Sequence, residues 1–129
     1  MNIIDHNSQP QEDWRAGVTT RMRISAMTGA AQIAIFEQWC APGVGAPTHW
    51  HLVEEVLTVV AGQADIWIDD EIASVTAGQS VMVPAGRRHG FRNSGQRVLH
   101  MLATLAGPIF EAHYDDGDRI VRRWVQKPE

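Results

Sequence analysis

From Arg21 onward the chain is a succession of short apolar or alternating runs, each cut off by glycine, proline, asparagine or aspartate. That punctuation leaves no room for a convincing amphipathic helix, whereas runs of roughly four to eight residues have the length of strands. Met22, Ile24 and Ala26 alternate with Arg21, Arg23 and Ser25, as in a half-exposed or edge strand. Gln32 to Cys40 and Val98 to Leu105 are apolar on both faces, and Val56, Leu57, Thr58, Val59 and Val60 are too rich in β-branched residues to favour a helix. Ala64 to Ile68 and Ile72 to Val75 flank Asp69, Asp70 and Glu71, which predicts a hairpin. Gln79 to Val83 and His89 to Asn93 complete the strands. Such spacing predicts an all-β antiparallel sandwich or barrel.

The chain has 129 residues, the size of one domain with a substantial core. Residues 1–20 carry Asn7, Ser8, Pro10 and Gly17 and read as an N-terminal arm that Trp14 could pin; residues 21–129 read as the barrel domain. Net charge is −4 and the pI is about 5.8, and the paired arginines Arg87-Arg88 and Arg122-Arg123 are isolated. No nucleic-acid footprint is present. The single cysteine, Cys40, excludes an intramolecular disulfide and suits a reducing compartment. It precedes Pro42 at the end of an apolar run and reads as a small buried residue. With no signal-like start and no apolar stretch of membrane-spanning length, the expectation is a cytoplasmic protein without membrane contact.

Two stretches carry the chemistry. The first runs Gly43, five residues, His49, one residue, His51, three residues, Glu55, six residues, Gly62. The second runs Gly78, five residues, Pro84, one residue, Gly86, two residues, His89, three residues, Asn93. Along an extended strand, residues two apart share a face, so His49, His51, Val53 and Glu55 would lie on one side. A further donor must then come from a neighbouring strand, and His89, behind the Pro84-Ala85-Gly86 turn, can supply it. Three imidazoles and a carboxylate suit one divalent Fe, Mn, Ni, Cu or Zn ion. An octahedral ion held by four protein donors keeps two positions open for exogenous ligands, whereas a tetrahedral zinc is closed.

Both stretches resemble the two motifs of the cupin superfamily at every fixed position, over about half of the chain. The resemblance implies a small jelly-roll-like β-barrel with the two motifs on facing strands and His49, His51, Glu55 and His89 as metal ligands. The outer face of Val98 to Leu105 must be covered by the C-terminal segment, the N-terminal arm or a second copy, and the resemblance implies a homodimer. The segment between the motifs, Gln63 to Ala77, is 15 residues long, enough for a hairpin and a return strand. Any lid must therefore come from the ends of the chain, with Pro108 to Tyr114 and Ile120 to Val125 as candidates. The acidic turn Asp115-Asp116-Gly117-Asp118 between them lacks the ligand pattern of a calcium loop.

Several residues outside the motifs would matter if they faced the cavity: Glu37, Gln38, Trp39, Trp50, Trp67, Arg87, Phe91, His100 and Glu111. Phe91 has the parity of His89 and is expected inside, where it would pack in the core or against a ring substrate. His100 shares the parity of Val98 and Leu102 and would orient a ligand by hydrogen bonding or serve as a core histidine. Glu37 and Gln38 alternate, so only one can face inward; Glu37 at a metal would be a general base. Trp50, between two ligands, should point away from them.

The function expected from the ligand set is that of a metal-dependent enzyme acting on a small molecule, foremost an oxygenase that uses the open positions for dioxygen and substrate. A metal-dependent isomerase or lyase is the nearest alternative. A non-catalytic binding or sensing protein, with the metal as staple or anchor, is the alternative of a different class.

Overall fold

A computed structural model describes residues 1–126, and they form two antiparallel six-stranded sheets packed face to face. The first sheet contains β1 (Glu12–Arg15), β2 (Val18–Ile24), β3 (Ala34–Cys40), β5 (Glu55–Ala61), β8 (Ser80–Val83) and β10 (Leu99–Leu105), in the order β1-β2-β3-β10-β5-β8. The second contains β4 (Gly45–Trp50), β6 (Gln63–Ile68), β7 (Glu71–Thr76), β9 (His89–Asn93), β11 (Phe110–Tyr114) and β12 (Arg119–Arg123), in the order β12-β11-β4-β9-β6-β7. The fold is the jelly-roll-like barrel expected, with two sheets that face each other without closing into a continuous ring. The only helical elements among the described residues are 3-10 turns at His6–Ser8 and Ala26–Thr28.

Alternation builds the core. Leu99, Met101, Ala103 and Leu105 of β10 are buried, while His100, Leu102 and Thr104 face the outside half-covered. Phe36 of β3, Leu57 and Val59 of β5, Ile66 of β6, Phe91 of β9, and Phe110 and Ala112 of β11 meet them between the sheets. Burying each large apolar side chain contributes about 1.5–3 kcal/mol before conformational entropy is charged against it. The hairpin β6–β7 forms with Trp67 opposite Ile72, and Asp69 takes the left-handed conformation (φ 50°) that its tight turn requires.

Residues 1–20 are not simply an arm. Glu12–Arg15 and the start of β2 at Val18 already belong to the first sheet, which begins before the expected Arg21. The alternation of β2 was hidden at its start because Val18 and Thr20 are the only buried members and one of them is polar. The C-terminal candidates for a lid form the β11–β12 hairpin, an integral edge of the second sheet. Trp14 does pin the N-terminal segment. It lies edge-on to Phe110 with ring centroids 4.8 Å apart, and Trp124 sits 5.6 Å away. These rings fill the gap between edge strands β1 and β12, where Trp124 also donates a 3.0 Å hydrogen bond to Glu12. Lys127, Pro128 and Glu129, the last positions of the expected 21–129 domain, lie outside the described residues.

Candidate metal centre

The segment from His49 to Glu55 is not one strand. β4 ends at Trp50, the chain leaves the second sheet through residues 51–54, and Glu55 opens β5 in the first sheet. The crossing sends the carboxylate back toward the histidines from the opposite wall. His89 is not on a facing strand either: β9 lies beside β4 in one sheet, with His49 and His89 directly paired. A bulge between Ala46 and His49 lets both point into the barrel although they are three residues apart. The second motif is tied to the first through Gly86, which adopts φ 79° in the turn before His89 and donates its N–H to the carbonyl of His51 at 2.8 Å. Gly90 is needed for a different reason: a Cβ there would lie 2.6 Å from the carbonyl oxygen of Ala46 and 2.4 Å from a ring carbon of Trp67.

One nitrogen or oxygen from each of His49, His51, Glu55 and His89 lies within 4.8 Å of the others, and all four residues are buried. The backbone sets the tautomers. The Nδ1–H groups of His49, His51 and His89 donate to the carbonyls of Pro47, Glu111 and Arg87 at 2.7, 2.7 and 2.9 Å. Each Nε2 is therefore free to present a lone pair to the centre, the arrangement that orients imidazole ligands. His51 Nε2 is buried without a hydrogen-bond partner, 3.5 Å from a Glu55 oxygen, and His89 Nε2 is 2.9 Å from the other.

The electrostatics agree with a cation at this point. Burial, reinforced by the neighbouring His89 and His51, pulls the His49 imidazole down to about 3, so it stays neutral. Burial would also lower His51, but the Glu55 carboxylate outweighs it and holds His51 above its ordinary value. For Glu55, burial acts upward, and the opposing pull of His51 and His89 keeps it well below the carboxylate range. A buried anion among three imidazoles needs a proton or a metal ion for charge balance. The orphaned Nε2 and the backbone-locked tautomers fit a divalent metal.

A cavity beside the cluster is bounded by Phe36, Gln38, Ala46, His49, Glu55, Leu57, Phe91, Met101, Ala103, Phe110 and Tyr114, with Trp14 and Arg15 at its rim. Its volume is about 20 Å³, room for roughly one water molecule. Trp14 and Arg15 are the only lining residues that are not fully buried, so access from solvent lies at their end. Gln38 lines the cavity and donates its amide N–H to Thr20 at 2.9 Å, which leaves its carbonyl oxygen for another partner. Phe91 is inside, as its parity predicts.

Glu37 and His100 do not reach the cavity. Both sit on the outer face of the first sheet, where His100 meets the Glu37 carboxylate at 2.9 Å and stacks on Trp39. Arg21 and Arg23 grip the same carboxylate at 2.6 and 2.8 Å. Glu37 has the parity opposite to Gln38 on β3, and the row of β10 that His100 shares with Leu102 faces outward, which excludes a general-base role for Glu37 and a ligand-orienting role for His100. Trp50 stacks on His113 outside the barrel with centroids 3.9 Å apart. Trp67 donates to Thr48, Arg87 pairs with Asp69, and the Glu111 side chain pairs with Arg122. Glu111 serves the centre only through its backbone carbonyl, which receives His51. Sequence reasoning missed Arg15 and Tyr114 as cavity residues. Arg15 lies in a four-residue strand too short for periodicity to show, and Tyr114 lies on a hairpin taken for a lid.

Two sheets of this topology with a buried three-histidine, one-carboxylate cluster between them define a cupin, and the chain belongs to that family: the cupin domain matches residues 37–105. Among characterised relatives, the chain is 31% identical over 116 residues to the polyketide synthase CurC of Streptomyces cyaneus, covering 87% of this chain and 72% of that protein. In fold it is similar to the polyketide cyclase RemF of Streptomyces resistomycificus, with a TM-score of 0.73, 19% identity and coverage of 98% and 88% of the two chains. Oxalate decarboxylase of Lactobacillus farciminis is similar over 85% of this chain but only 34% of its own, with a TM-score of 0.76 and 20% identity.

Proposed function

We propose that the protein is a metal-dependent enzyme that binds a small, oxygen-rich organic substrate at the His49–His51–Glu55–His89 centre and promotes bond formation at carbons activated by neighbouring carbonyl groups, as in cyclisation of a polyketide-like chain. The observation that carries this reading is that four buried donors converge from both sheets at the end of an aromatic-lined cavity. The similarity to a polyketide synthase and a polyketide cyclase supports the substrate class. When bound, the metal would act as a Lewis acid that polarises carbonyl oxygens and acidifies the adjacent C–H.

The protein's own groups would do the rest. Phe36, Leu57, Phe91, Met101 and Phe110 would press the carbon chain into a folded conformation and exclude water, so that reacting atoms meet in near-attack geometry. The Gln38 carbonyl oxygen can accept a hydrogen bond from a substrate hydroxyl. The Tyr114 hydroxyl can donate one to a substrate oxygen, because its own lone pair is turned to Arg15 at 3.4 Å. An organic substrate exceeds the resting cavity and must displace Trp14, the ring that rests at its rim. A second reading is the oxygenase expected from the ligand set, which the two positions left open on an octahedral ion held by these four donors support. Product mass separates the two when the metal-loaded protein is given short poly-β-ketones: cyclisation with dehydration loses one water, whereas oxygenation adds oxygen atoms. Unchanged substrate in both metal-loaded and metal-free protein would favour a binding protein and refute both.

We also infer a homodimer. Ile35 and Leu102 are half-buried on the outer face of the first sheet, and Val60 and Met82 are exposed there, a surface that a second copy would cover. A light-scattering mass of one chain at micromolar concentration would refute this. The lone buried thiol of Cys40 supports a cytoplasmic location, testable by fractionation.

A further inference from the structure

Arg15 is a charged side chain in an unusual place. It belongs to the first sheet yet crosses to the second, where Nη1 donates to the carbonyl of Gly45 at 2.8 Å and Nη2 approaches the Tyr114 hydroxyl at 3.4 Å. Those two neutral partners occupy two of its five N–H donors. Among the described residues it makes no ion pair, although most other arginines do: Arg21, Arg23, Arg87, Arg88, Arg92, Arg119, Arg122 and Arg123 each meet a carboxylate. The acidic residues of its own strand are engaged elsewhere, Glu12 with Trp124 and Asp13 with Thr19. A half-buried guanidinium at the rim of a largely apolar cavity, hydrogen-bonded only to neutral partners, keeps N–H donors available for an anionic ligand.

Tyr114 links this cation to the metal centre. It is paired with His49 across the β4–β11 ladder, and their rings lie 5.4 Å apart. The cavity therefore has a cation-binding cluster on its inner wall and a positive charge at its rim, with Tyr114 between them and apolar side chains lining the remaining space. Resting on the reading of the centre above, we infer that Arg15 is a specificity-determining residue that binds an anionic oxygen, a carboxylate or an acidic enol, at the end of the substrate remote from the metal. The substrate is then a two-ended molecule: a chelating oxygen pair, an apolar middle, and an acidic terminus that a guanidinium receives in a charge-assisted hydrogen bond.

Metal-anchored probes test this directly. Hydroxamic acids bearing a terminal carboxylate through two to five methylenes, and the same series ending in a carboxamide, are titrated by calorimetry into the full chain loaded with Ni(II), an octahedral ion that keeps two positions open beside four protein donors. The expected result is that at one chain length the carboxylate binds at least about tenfold more tightly than its carboxamide, the size of one charge-assisted hydrogen bond. That preference should fall to within about threefold in Arg15→Gln and return in Arg15→Lys, with metal content unchanged in both. Equal binding of the two series by the wild-type protein, or a preference that survives in Arg15→Gln, overturns the role of Arg15 while leaving the metal reading intact. If neither series binds the metal-loaded protein at any length, the reading of the centre fails and the role of Arg15 fails with it. The wild-type comparison of acid with amide needs no variant, so a folding defect in Arg15→Gln cannot mask the answer.

Discussion

Replacing Glu37 by Gln is the most informative single perturbation of the scaffold, because the residue was a candidate for the site and the structure places it outside. Its side chain is 1% exposed, covered by the two arginines and the histidine that bind it: Arg21, 15% exposed, Arg23, 31%, and His100, 23%. A pair fully buried in a core costs about 3–5 kcal/mol when one partner is removed, and a fully exposed pair costs about 0–1 kcal/mol. Glu37 lies between these limits, since its partners reach solvent at their ends, and the substitution should cost about 2 kcal/mol in urea unfolding at pH 7. The pH dependence follows from the shift. Burial acts to raise the carboxyl, but His100, Arg21 and Arg23 outweigh it and hold it below the ordinary 4.5. A depressed folded-state pKa gives a contribution that is complete above the ordinary value and disappears as pH falls through the folded one. The deficit of Glu37→Gln should therefore be full at neutral pH and shrink in acid, with metal content equal to wild type throughout. A deficit below about 0.5 kcal/mol at pH 7 would refute the ion-pair argument, and loss of the metal would refute the placement of Glu37 outside the site.

Three further outcomes are expected. Zn(II) should raise the melting temperature of the wild-type protein but not of His51→Ala, by about 2.7 kcal/mol of stability at a hundredfold excess over the dissociation constant; equal stabilisation of both proteins would remove His51 from the site. Gly90→Ala should destabilise by about 1–3 kcal/mol, because its new methyl would overlap the Ala46 carbonyl oxygen and the Trp67 ring, and unchanged chemical denaturation would show that the strands can part there at no cost. The Cys40 thiol, fully buried and pushed up to about 11 by that burial, should react with a disulfide reagent at pH 8 only as fast as the protein unfolds; rapid labelling of the native protein would contradict its enclosure.

The hairpin Ala64 to Val75, β9 and β10 were legible within a residue or two because alternation and turn chemistry act locally. The four metal-ligand candidates were legible for a different reason: glycine and proline at fixed offsets shape the turns that present them, and those offsets are written along the chain. Which wall each donor comes from was not. The spacing of His51 and Glu55 is equally consistent with one extended strand, and only the packing of β4 and β5 in different sheets shows that the chain crosses the barrel between them. Parity likewise put Phe91 inside correctly but could not rank Glu37 against Gln38, since either frame of β3 leaves an apolar row on both faces. The charges of Arg21 and Arg23 on β2 settle that frame by holding Glu37 outside.

By itself, then, the amino-acid sequence determined that this protein is a small β-barrel with a three-histidine, one-carboxylate set suited to a divalent metal. The reason is that strand length, turn residues and donor type are properties of neighbouring residues. The tertiary structure alone decided that Trp14, Arg15, Phe110 and Tyr114, from opposite ends of the chain and from two different sheets, bound one cavity beside that set. No local rule specifies such a meeting, because it depends on which edge strands face each other once the two sheets have packed.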